Sequence, residues 1–334
     1  MSDTGDNKPL AGLSLDLDNE WSYMKTHGDA GWKTFPSYFD AFIPEVLDTL
    51  KGLNLKITFF VVGQDAALEK NARSLAAIAK CGHEIGNHSF HHEPWLQTYS
   101  ADEIQEEILA AESAILSATG QKPLGFRGPG FSWSPALLET LARRGYLYDA
   151  STFPTFIGPL GRLYYFARAE LGAEEKKERK ALFGRFREGF RPVKPYIWFL
   201  PSGRRLLEIP VTTVPILKTP FHLSYLLYLG RYSEILMRGY LETALALCRL
   251  MKAGLSFLLH PLDFFGSDEF PGLAFFPGMD IKRKHKLAIF RKVIKILSAY
   301  FHPAPMGDYV QAVLEHREKL PTIDLGQKER PTIF

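Results

Sequence analysis

The stretch LSLDLDNEW (residues 13–21) places two aspartates inside a short apolar segment near the start of the chain. Side chains alternate faces along a β-strand, so Asp16 and Asp18 would share one face and the leucines the other. Two carboxylates on one buried face repel each other, and burying them is costly unless a cation or a proton neutralises them. The stretch therefore predicts a strand whose acids meet a positive partner; two solvated acids at a strand end are the simpler alternative.

Helical and strand patterns alternate after this stretch, from residue 36 to residue 148. Apolar residues at helical spacing in 36–52 precede the continuous apolar run ITFFVV (57–62), which is typical of a buried strand. Strands that alternate with helices pair in parallel through right-handed crossovers. The pattern predicts an α/β fold, either a doubly wound sheet or a barrel. The same signals place further helices in 66–82, 100–117 and 133–146, and further strands in 83–89, 124–128 and 147–152.

The composition is that of an ordinary folded protein. Of 334 residues, 46% are hydrophobic and 23% are charged, which is enough to bury a sizeable core. The formal net charge of +3 gives no field that favours nucleic acid as a partner. Cys81 and Cys248 are the only cysteines and form no C-x-x-C pair, so we expect neither a disulfide framework nor a thiolate zinc site. The first residues, MSDTGDNKPLAG, lack the pattern of a secretory signal, and we expect a cytoplasmic protein.

The alternation stops in a basic and aromatic segment, 155–205, which we interpret as a helical insertion. Its central part, 167–196, carries nine Lys and Arg against five Glu. A solvated charged helix is the simpler interpretation. The alternative is an edge that meets anionic lipid, because aromatic residues lie among the basic ones, and the apolar stretch FHLSYLLYLG (221–230) follows. The aromatic residues are Phe183, Phe186, Phe190 and Trp198.

A cluster of histidines in GHEIGNHSFHHEP (82–94) is the strongest chemical signal. Imidazole is the commonest protein ligand for zinc-like metals, and His88 and His92, four residues apart, could reach one ion from a tight turn. With a carboxylate from the first strand, they would form a His, His, Asp site with open positions for water and substrate. A histidine pair alone would more often be structural. Here it is joined by the D-x-D strand and by an isolated later histidine, His260, in LLHP.

These motifs together resemble the NodB-homology polysaccharide deacetylases, carbohydrate esterase family 4, and occur in the family's order over residues 13–261. The resemblance implies that Asp16 is the catalytic base and that Asp18, His88 and His92 bind the metal. His91 would be a bystander or would support a metal ligand. In FRGPGF, the resemblance implies that Arg127 orients the Asp16 carboxylate and that the backbone N–H of Gly130 helps to hold the oxyanion.

The fourth and fifth motifs complete the resemblance. In DAST, Asp149 stands where an acid that tunes the catalytic histidine is expected, although the second acid of that motif is replaced near Thr152. In LLHP, His260 would be the general acid, with Leu258 in the pocket for the acyl methyl group. Contact with the substrate is expected for Trp21, Phe131 and Leu258.

The implied fold is a distorted (β/α) barrel of about seven strands in a single domain, 10–310, with the insertion 155–205 inside it and a tail, 311–334. The implied activity is hydrolysis of the N-acetyl or N-formyl amide of an amino sugar. The implied cofactor is a divalent metal, zinc first and nickel or cobalt as alternatives.

Finer expectations concern the substrate. The first motif is D-L-D rather than D-D, a form similar to the family's cytoplasmic and lipid-linked-substrate branches. The missing secretory signal, the basic aromatic segment and the apolar stretch 221–230 together favour a lipid-linked amino sugar met at the cytoplasmic face of the membrane over an extracellular polymer. An amidohydrolase acting on a small non-sugar amide, as in the allantoinase-like branch, is the first alternative. A non-catalytic carbohydrate-binding relative is the second.

Overall fold

The structure is a computed structural model that describes residues 8–157 and 186–326. Within these ranges, ten strands belong to one sheet. Their order along the chain matches the alternation predicted for 36–148, and the later strands extend it. The strands are β1 (Leu10–Leu17), β2 (Thr58–Val61), β3 (Glu84–Asn87), β4 (Gly125–Phe126), β5 (Tyr148–Asp149), β6 (Tyr196–Phe199), β7 (Arg205–Glu208), β8 (Ser256–Leu259), β9 (His302–Ala304) and β10 (Thr322–Asp324).

Predicted capping residues mark the ends of some of the helices. Ser100 and Glu103 form a reciprocal capping box, and Gly145 ends a helix in the left-handed region at φ 80°. None of the helices among the described residues is long and apolar enough to cross a membrane. The helices are α1 (Glu20–His27), α2 (Phe39–Gly52), α3 (Gly63–Ala67), α4 (Glu69–Lys80), α5 (Ala101–Thr119), α6 (Pro135–Arg144), α7 (Leu223–Tyr232), α8 (Glu234–Leu250), α9 (Arg283–Tyr300) and α10 (Met306–Leu314).

Parallel strands form the frame that carries the site. They follow the order β7, β5, β4, β3, β2, β1, β8, and each neighbouring pair runs parallel. Beyond β7, the backbone N–H of Thr212 donates to the carbonyl oxygen of Ser256 in β8 at 3.0 Å, and Ser256 N–H donates to the Thr212 hydroxyl at 2.8 Å. These bonds join the two ends of the parallel run. The sheet is thus a distorted barrel, which confirms the predicted α/β class.

Three further strands depart from the prediction. Strand β6 lies inside the segment expected to be helical, and it pairs antiparallel with β7. Its side chains alternate between buried, at Tyr196 and Trp198, and half-buried, at Ile197 and Phe199, which is the period-two pattern of a strand. The central part of that segment, including Phe183, lies outside the described residues. Strand β10 falls in the expected tail and pairs with β6, and β9 pairs with β1.

Candidate metal centre and active site

Strand β1 delivers its acids to one face of the barrel, as the alternation predicts. Leu13, Leu15 and Leu17 pack in the hydrophobic core, while Ser14 and Asp16 face Arg127. Parallel strands bring the carboxyl end of β1 beside the loops that follow β3, β4 and β8, because β1 pairs with β2 and β8 and the neighbouring strands continue in register. The site is therefore assembled at one end of the barrel.

Arg127 is the positive partner that Asp16 requires. Its guanidinium donates to Asp16 Oδ1 at 2.7 Å and to Ser14 Oγ at 2.8 Å, and its Nε donates to the carbonyl oxygen of Ala150 at 3.1 Å. The guanidinium also lies over the ring of Phe60, 4.4 Å from the centroid, and the whole side chain is buried. Hydrogen bonds on two sides fix the planar group, so the Asp16 carboxylate is held in one orientation.

Asp18, His88 and His92 form a separate cluster beside this pair. Asp18 Oδ1 lies 2.9 Å from His92 Nε2 and 3.5 Å from His88 Nε2, and one donor atom from each residue lies within 4.8 Å of the others. Burial would raise the pKa of Asp18, but the charges of His92 and His88 and their hydrogen bonds bring it well below its usual range. The cluster thus presents an ionised carboxylate and two imidazoles to one point.

The turn that carries the histidines is held in an uncommon backbone conformation. Ser89 and His92 have φ values of 63° and 55°, in the left-handed region that costs energy for a residue with a Cβ. Asn87 Oδ1 accepts the Ser89 N–H at 2.8 Å, and Ser89 Oγ accepts the His92 N–H at 3.2 Å. These bonds over-determine the turn and bring His88 and His92 to the same side of it.

The orientation of His88 suits a metal ligand. Its Nδ1 lies 2.6 Å from the carbonyl oxygen of Arg127, which can only accept, so Nδ1 carries the proton and Nε2 keeps a lone pair directed towards Asp18. Asp18 Oδ1 is buried, and the Nε2 atoms of His92 and His88 converge on it. One carboxylate and two imidazoles that converge on one buried point fit a divalent cation.

His260 lies at the end of β8, with 27% of its side chain exposed. Its Nδ1 is 3.3 Å from Ser224 Oγ and 3.9 Å from Asp263 Oδ2, and its ring centroid is 5.8 Å from that of His222. Phe153 packs on the other side of His222, with the ring centroids 5.6 Å apart. The imidazole of His260 thus lies at the rim of the site, next to the rings of His222 and Phe153.

The family model described as "Polysaccharide deacetylase" matches residues 25–148, the part that contains His88, His92 and Arg127. This part of the chain is therefore similar to the polysaccharide deacetylases. The structure brings the motifs outside the matched range, at Asp16 and His260, to the same end of the barrel.

The curated relatives match about a third of this chain. A peptidoglycan-N-acetylmuramic acid deacetylase of Bacillus subtilis is 37% identical over 110 residues, which span 33% of this chain and 41% of the relative. A chitin deacetylase of Pestalotiopsis is 33% identical over 118 residues, 34% of this chain and 39% of that protein. The chain therefore spans about two fifths of the length of these relatives.

A solved structure shows the fold over nearly the whole chain. A protein of Mycobacterium smegmatis, described as a polysaccharide deacetylase, covers 98% of this chain and 96% of its own length. The TM-score is 0.59 and the sequence identity is 20%. This likeness shows that the two chains share a fold, including the elements after residue 148 that the family model does not match.

The loop after β4 carries the two other residues of the third deacetylase motif. Gly130 is exposed and has a φ of 58°, and the two hydrogen bonds of its turn are made by the N–H groups of Phe131 and Ser132, not by its own. Phe131 is half-buried, and its ring lies 4.8 Å from that of Phe153. The predicted oxyanion donor and the predicted substrate aromatic therefore both lie at the rim.

Trp21 does not have the exposure that a substrate contact needs. It is 1% exposed, its Nε1 donates to Asp65 Oδ1 at 3.0 Å, and its ring meets His92 edge-on at 6.3 Å. Burial raises the pKa of Asp65 to about 7, although Asn19 and Trp21 donate hydrogen bonds that lower it. The prediction that Trp21 touches substrate is corrected: it packs beneath His92. The aromatic residue type suggested a substrate contact, but the burial of Trp21 depends on the loop that covers it.

Leu258 is also fully buried, but on the side of the site. It is paired in register with Ser14, so it shares the barrel face of Asp16. Leu258 thus lies at the floor of the site, where it is compatible with the pocket predicted for the acyl methyl group.

Asp149 is placed away from the role expected for it. Its Oδ1 accepts the Ser151 hydroxyl at 2.5 Å, and its other partner is the carboxyl group of Glu208. The carboxylate that contacts His260 is instead Asp263. The register explains the difference, since β5 pairs Asp149 directly with Glu208 of β7. The sequence signal for Asp263 was its position three residues after His260 in HPLD.

Two histidines of the cluster have structural contacts. His91 turns outward, with 57% of its side chain exposed, and its Nδ1 lies 2.7 Å from Glu107 Oε2. Glu107 also accepts the backbone N–H groups of Phe90 and His91, so it fastens the histidine turn to α5. His83 packs against Phe59, and burial lowers its pKa to about 4.

Proposed function

We propose that this chain is a metal-dependent N-deacetylase that hydrolyses the N-acetyl or N-formyl amide of an amino sugar. The observation that carries the proposal is the convergence of the Asp18, His88 and His92 donors next to an Asp16 carboxylate that Arg127 holds in place. The named activities of the relatives, on peptidoglycan and chitin, support an amino-sugar amide as the substrate class.

The donor set of one carboxylate and two imidazoles favours zinc, with nickel or cobalt as alternatives. A divalent cation held by Asp18, His88 and His92 would supply Lewis-acid polarisation of the amide carbonyl and acidify water at the site.

Different groups of the protein carry out the separate proton transfers. Asp16 takes the proton of the attacking water, and Arg127, itself held by its hydrogen bond to the carbonyl oxygen of Ala150, keeps the Asp16 carboxylate in place through one hydrogen bond. As the tetrahedral oxyanion forms, the backbone N–H of Gly130 donates to it. His260 protonates the amine, the C–N bond breaks, and acetate or formate and the free amino sugar leave. Each step uses a residue at the rim or floor of the same site.

The test measures release of acetate and formate from free, polymeric and lipid-linked N-acylated amino sugars, together with the metal content of the purified protein. We expect turnover with bound metal, and loss of about 100-fold or more of turnover in Asp16→Asn. The matched control is Asp48→Asn, an exposed aspartate near the end of α2 that leads to the opposite end of the barrel. Protein that holds no metal, or an Asp16→Asn variant with unchanged amide hydrolysis, would exclude the proposal.

The alternatives give different results in the same assay. An amidohydrolase of the allantoinase-like kind would release product from a small non-sugar amide and from none of the sugars. A non-catalytic carbohydrate-binding relative would bind sugar and release nothing. The intact constellation of base, metal donors and rim histidine favours the deacetylase over the second of these.

The finer part of the proposal is a lipid-linked substrate met at the cytoplasmic face of a membrane. It is supported by exposed apolar side chains at the end of the barrel that carries the site. Phe190 is 72% exposed and, with Phe186, packs on Phe156, which follows the carboxyl end of β5. Ile216 and its neighbour Leu217 are exposed on the loop after β7. Trp198, expected to join this surface, is buried instead and donates to Glu208.

Vesicle flotation tests this surface. We expect the chain to float with phosphatidylglycerol vesicles, and a Phe186→Ser, Phe190→Ser double variant to remain largely at the bottom of the gradient. Leu124→Ser is the control, because Leu124 is exposed just before β4 begins, at the opposite end of the barrel. Equal partitioning of the native chain and the double variant would exclude membrane contact through these rings.

A further inference from the structure

We propose that Ser224 and Asp263 are positioning residues that hold His260 with its Nδ1 proton turned inward and its Nε2 available to the substrate. The inference rests on the proposed function, in which His260 is the acid. Ser224 Oγ lies 3.3 Å and Asp263 Oδ2 lies 3.9 Å from His260 Nδ1, and the Ser224 hydroxyl also bonds the Asp263 carboxylate.

The three groups form a short chain of donors and acceptors. A hydroxyl can accept one hydrogen bond and donate another, so Ser224 accepts from Nδ1–H of His260 and donates to Asp263. With Nδ1 as donor, a protonated imidazole has its second proton on Nε2, and that proton is the one available to a departing amine. Asp263 is buried, so its charge acts on the imidazole across little solvent.

The backbone fixes Asp263 in this position. Asp263 Oδ2 accepts the backbone N–H of His260 at 2.9 Å, in the short turn Pro261–Asp263 that follows β8. Lys286, buried in α9, donates from Nζ to the carbonyl oxygens of Leu262 and Phe265 at 2.6 and 2.9 Å, on either side of Asp263. The loop is therefore held from beneath, and the carboxylate stays under the imidazole.

Other charged and titratable groups face this chain. His222, the residue that precedes α7, is buried, and burial together with the charges of His260 and Arg127 holds its pKa well below the usual range, so it stays neutral beside His260. Burial lowers the pKa of Lys286 to about 8, while Asp263 acts to raise it. Burial raises the pKa of Tyr23 in α1, and the charge of Asp263 adds to this rise. Burial also raises the pKa of Asp263, whereas the charge of His260 and the hydrogen bonds from the His260 N–H and Ser224 lower it.

A purely structural role for Asp263, as the cap of its turn, is the competing explanation. Asp263→Asn separates the two, because the amide oxygen can still accept the His260 N–H while the negative charge is lost. Ser224→Ala removes the hydroxyl alone. Asp268→Asn is the matched control, since Asp268 is an exposed aspartate on the same loop.

With the metal-loaded full chain and the N-acetylated amino sugar that it turns over, we expect Asp263→Asn to lower kcat about tenfold with KM little changed. Ser224→Ala should lower kcat in the same direction by less. An unchanged kcat in Asp263→Asn, or a fall in kcat/KM that comes from KM alone, would overturn the proposal.

A readout without turnover keeps this inference separate from the proposed function. The nitrogen chemical shifts of the His260 ring, measured by NMR, should report the proton on Nδ1 in the native chain and in Asp268→Asn, and a loss of that preference in Asp263→Asn. An unchanged tautomer in Asp263→Asn would overturn the positioning role even in an active enzyme. A changed tautomer in a chain that releases no acetate or formate would support the positioning contact while excluding the proposed function.

Discussion

Asp18 and Asp149 follow the same topological rule, since each stands at the carboxyl end of a parallel strand, and each is buried. Their surroundings differ. Asp18 faces the imidazoles of His88 and His92, and its pKa lies well below the usual range.

Asp149 faces another carboxyl group, that of Glu208. Burial, the charge of Glu208 and a hydrogen bond between the two acids raise the pKa of Asp149 well above its usual range, and burial also raises the pKa of Glu208. Glu208 accepts hydrogen bonds from Thr152 and Trp198, so it is the better supported anion and Asp149 the proton carrier. A buried aspartate at a strand end is thus ionised where it faces cationic groups, as Asp18 does, and protonated where it faces another acid, as Asp149 does.

The largest effect that this comparison predicts is on metal affinity. Asp18→Asn removes the anionic donor from the site, and we expect the affinity for zinc to fall at least about 100-fold, measured by competition with a chelating dye. Asp149→Asn keeps a donor towards Glu208 and lies outside the donor cluster, so its zinc affinity should match that of the native chain. A similar loss in both variants would mean that the two aspartates do not differ as described.

The next effect concerns stability. Asp149→Ala removes the hydrogen bond from Asp149 to buried Glu208, which keeps those from Thr152 and Trp198, and we expect the free energy of unfolding to fall by about 1–3 kcal/mol. Asp149→Asn should lose less, because its amide N–H replaces the shared proton. Urea unfolding at pH 6 measures both variants. Equal losses would show that the side chain packs there without the proposed hydrogen bond.

The pH dependence of stability follows from the same pair. Because the folded pKa of Asp149 is raised, its contribution is complete below the unfolded value near 4 and is lost as pH rises towards the folded value. Asp149→Asn has no such proton to lose. As the pH rises from 5 to 9, the free energy of unfolding of Asp149→Asn should therefore increase relative to that of the native chain. The increase should be about 1.4 kcal/mol for each pH unit of the Asp149 pKa shift that is crossed. Parallel pH curves would contradict the assignment of the proton.

Local sequence signals predicted most of the frame. Apolar runs such as ITFFVV and the cap at Ser100 specify their own strand and helix, because the information lies within a few residues. The sequence analysis missed strands β6 and β10. Strand β10 forms through its pairing with β6, more than a hundred residues earlier in the chain. Such pairing is a property of the tertiary fold, and a short strand such as Thr322–Asp324 carries little pattern of its own.

The candidate site divides in the same way. The positions of Asp16, Asp18, His88, His92, Arg127 and His260 were predicted from motifs, and the structure brings them to one end of the barrel. The roles of their neighbours were harder. Whether Asp149 or Asp263 meets His260 depends on strand register and on a turn, and the burial of Trp21 depends on the loop that covers it. These are three-dimensional facts that residue types alone leave open.

The smallest predicted effect tests whether the histidine turn is fixed by its own backbone bonds or by α5. His91→Ala removes the contact with Glu107 Oε2 but keeps the two backbone N–H groups that Glu107 Oε1 accepts. We expect the zinc affinity to change less than about threefold and the free energy of unfolding to fall by about 1 kcal/mol, since one partly exposed charged pair is lost. Calorimetric zinc titration and urea unfolding measure the two quantities. A loss of affinity comparable to that of Asp18→Asn would instead place His91 among the metal-binding residues, and the distinction between the inward and outward histidines of this turn would fail.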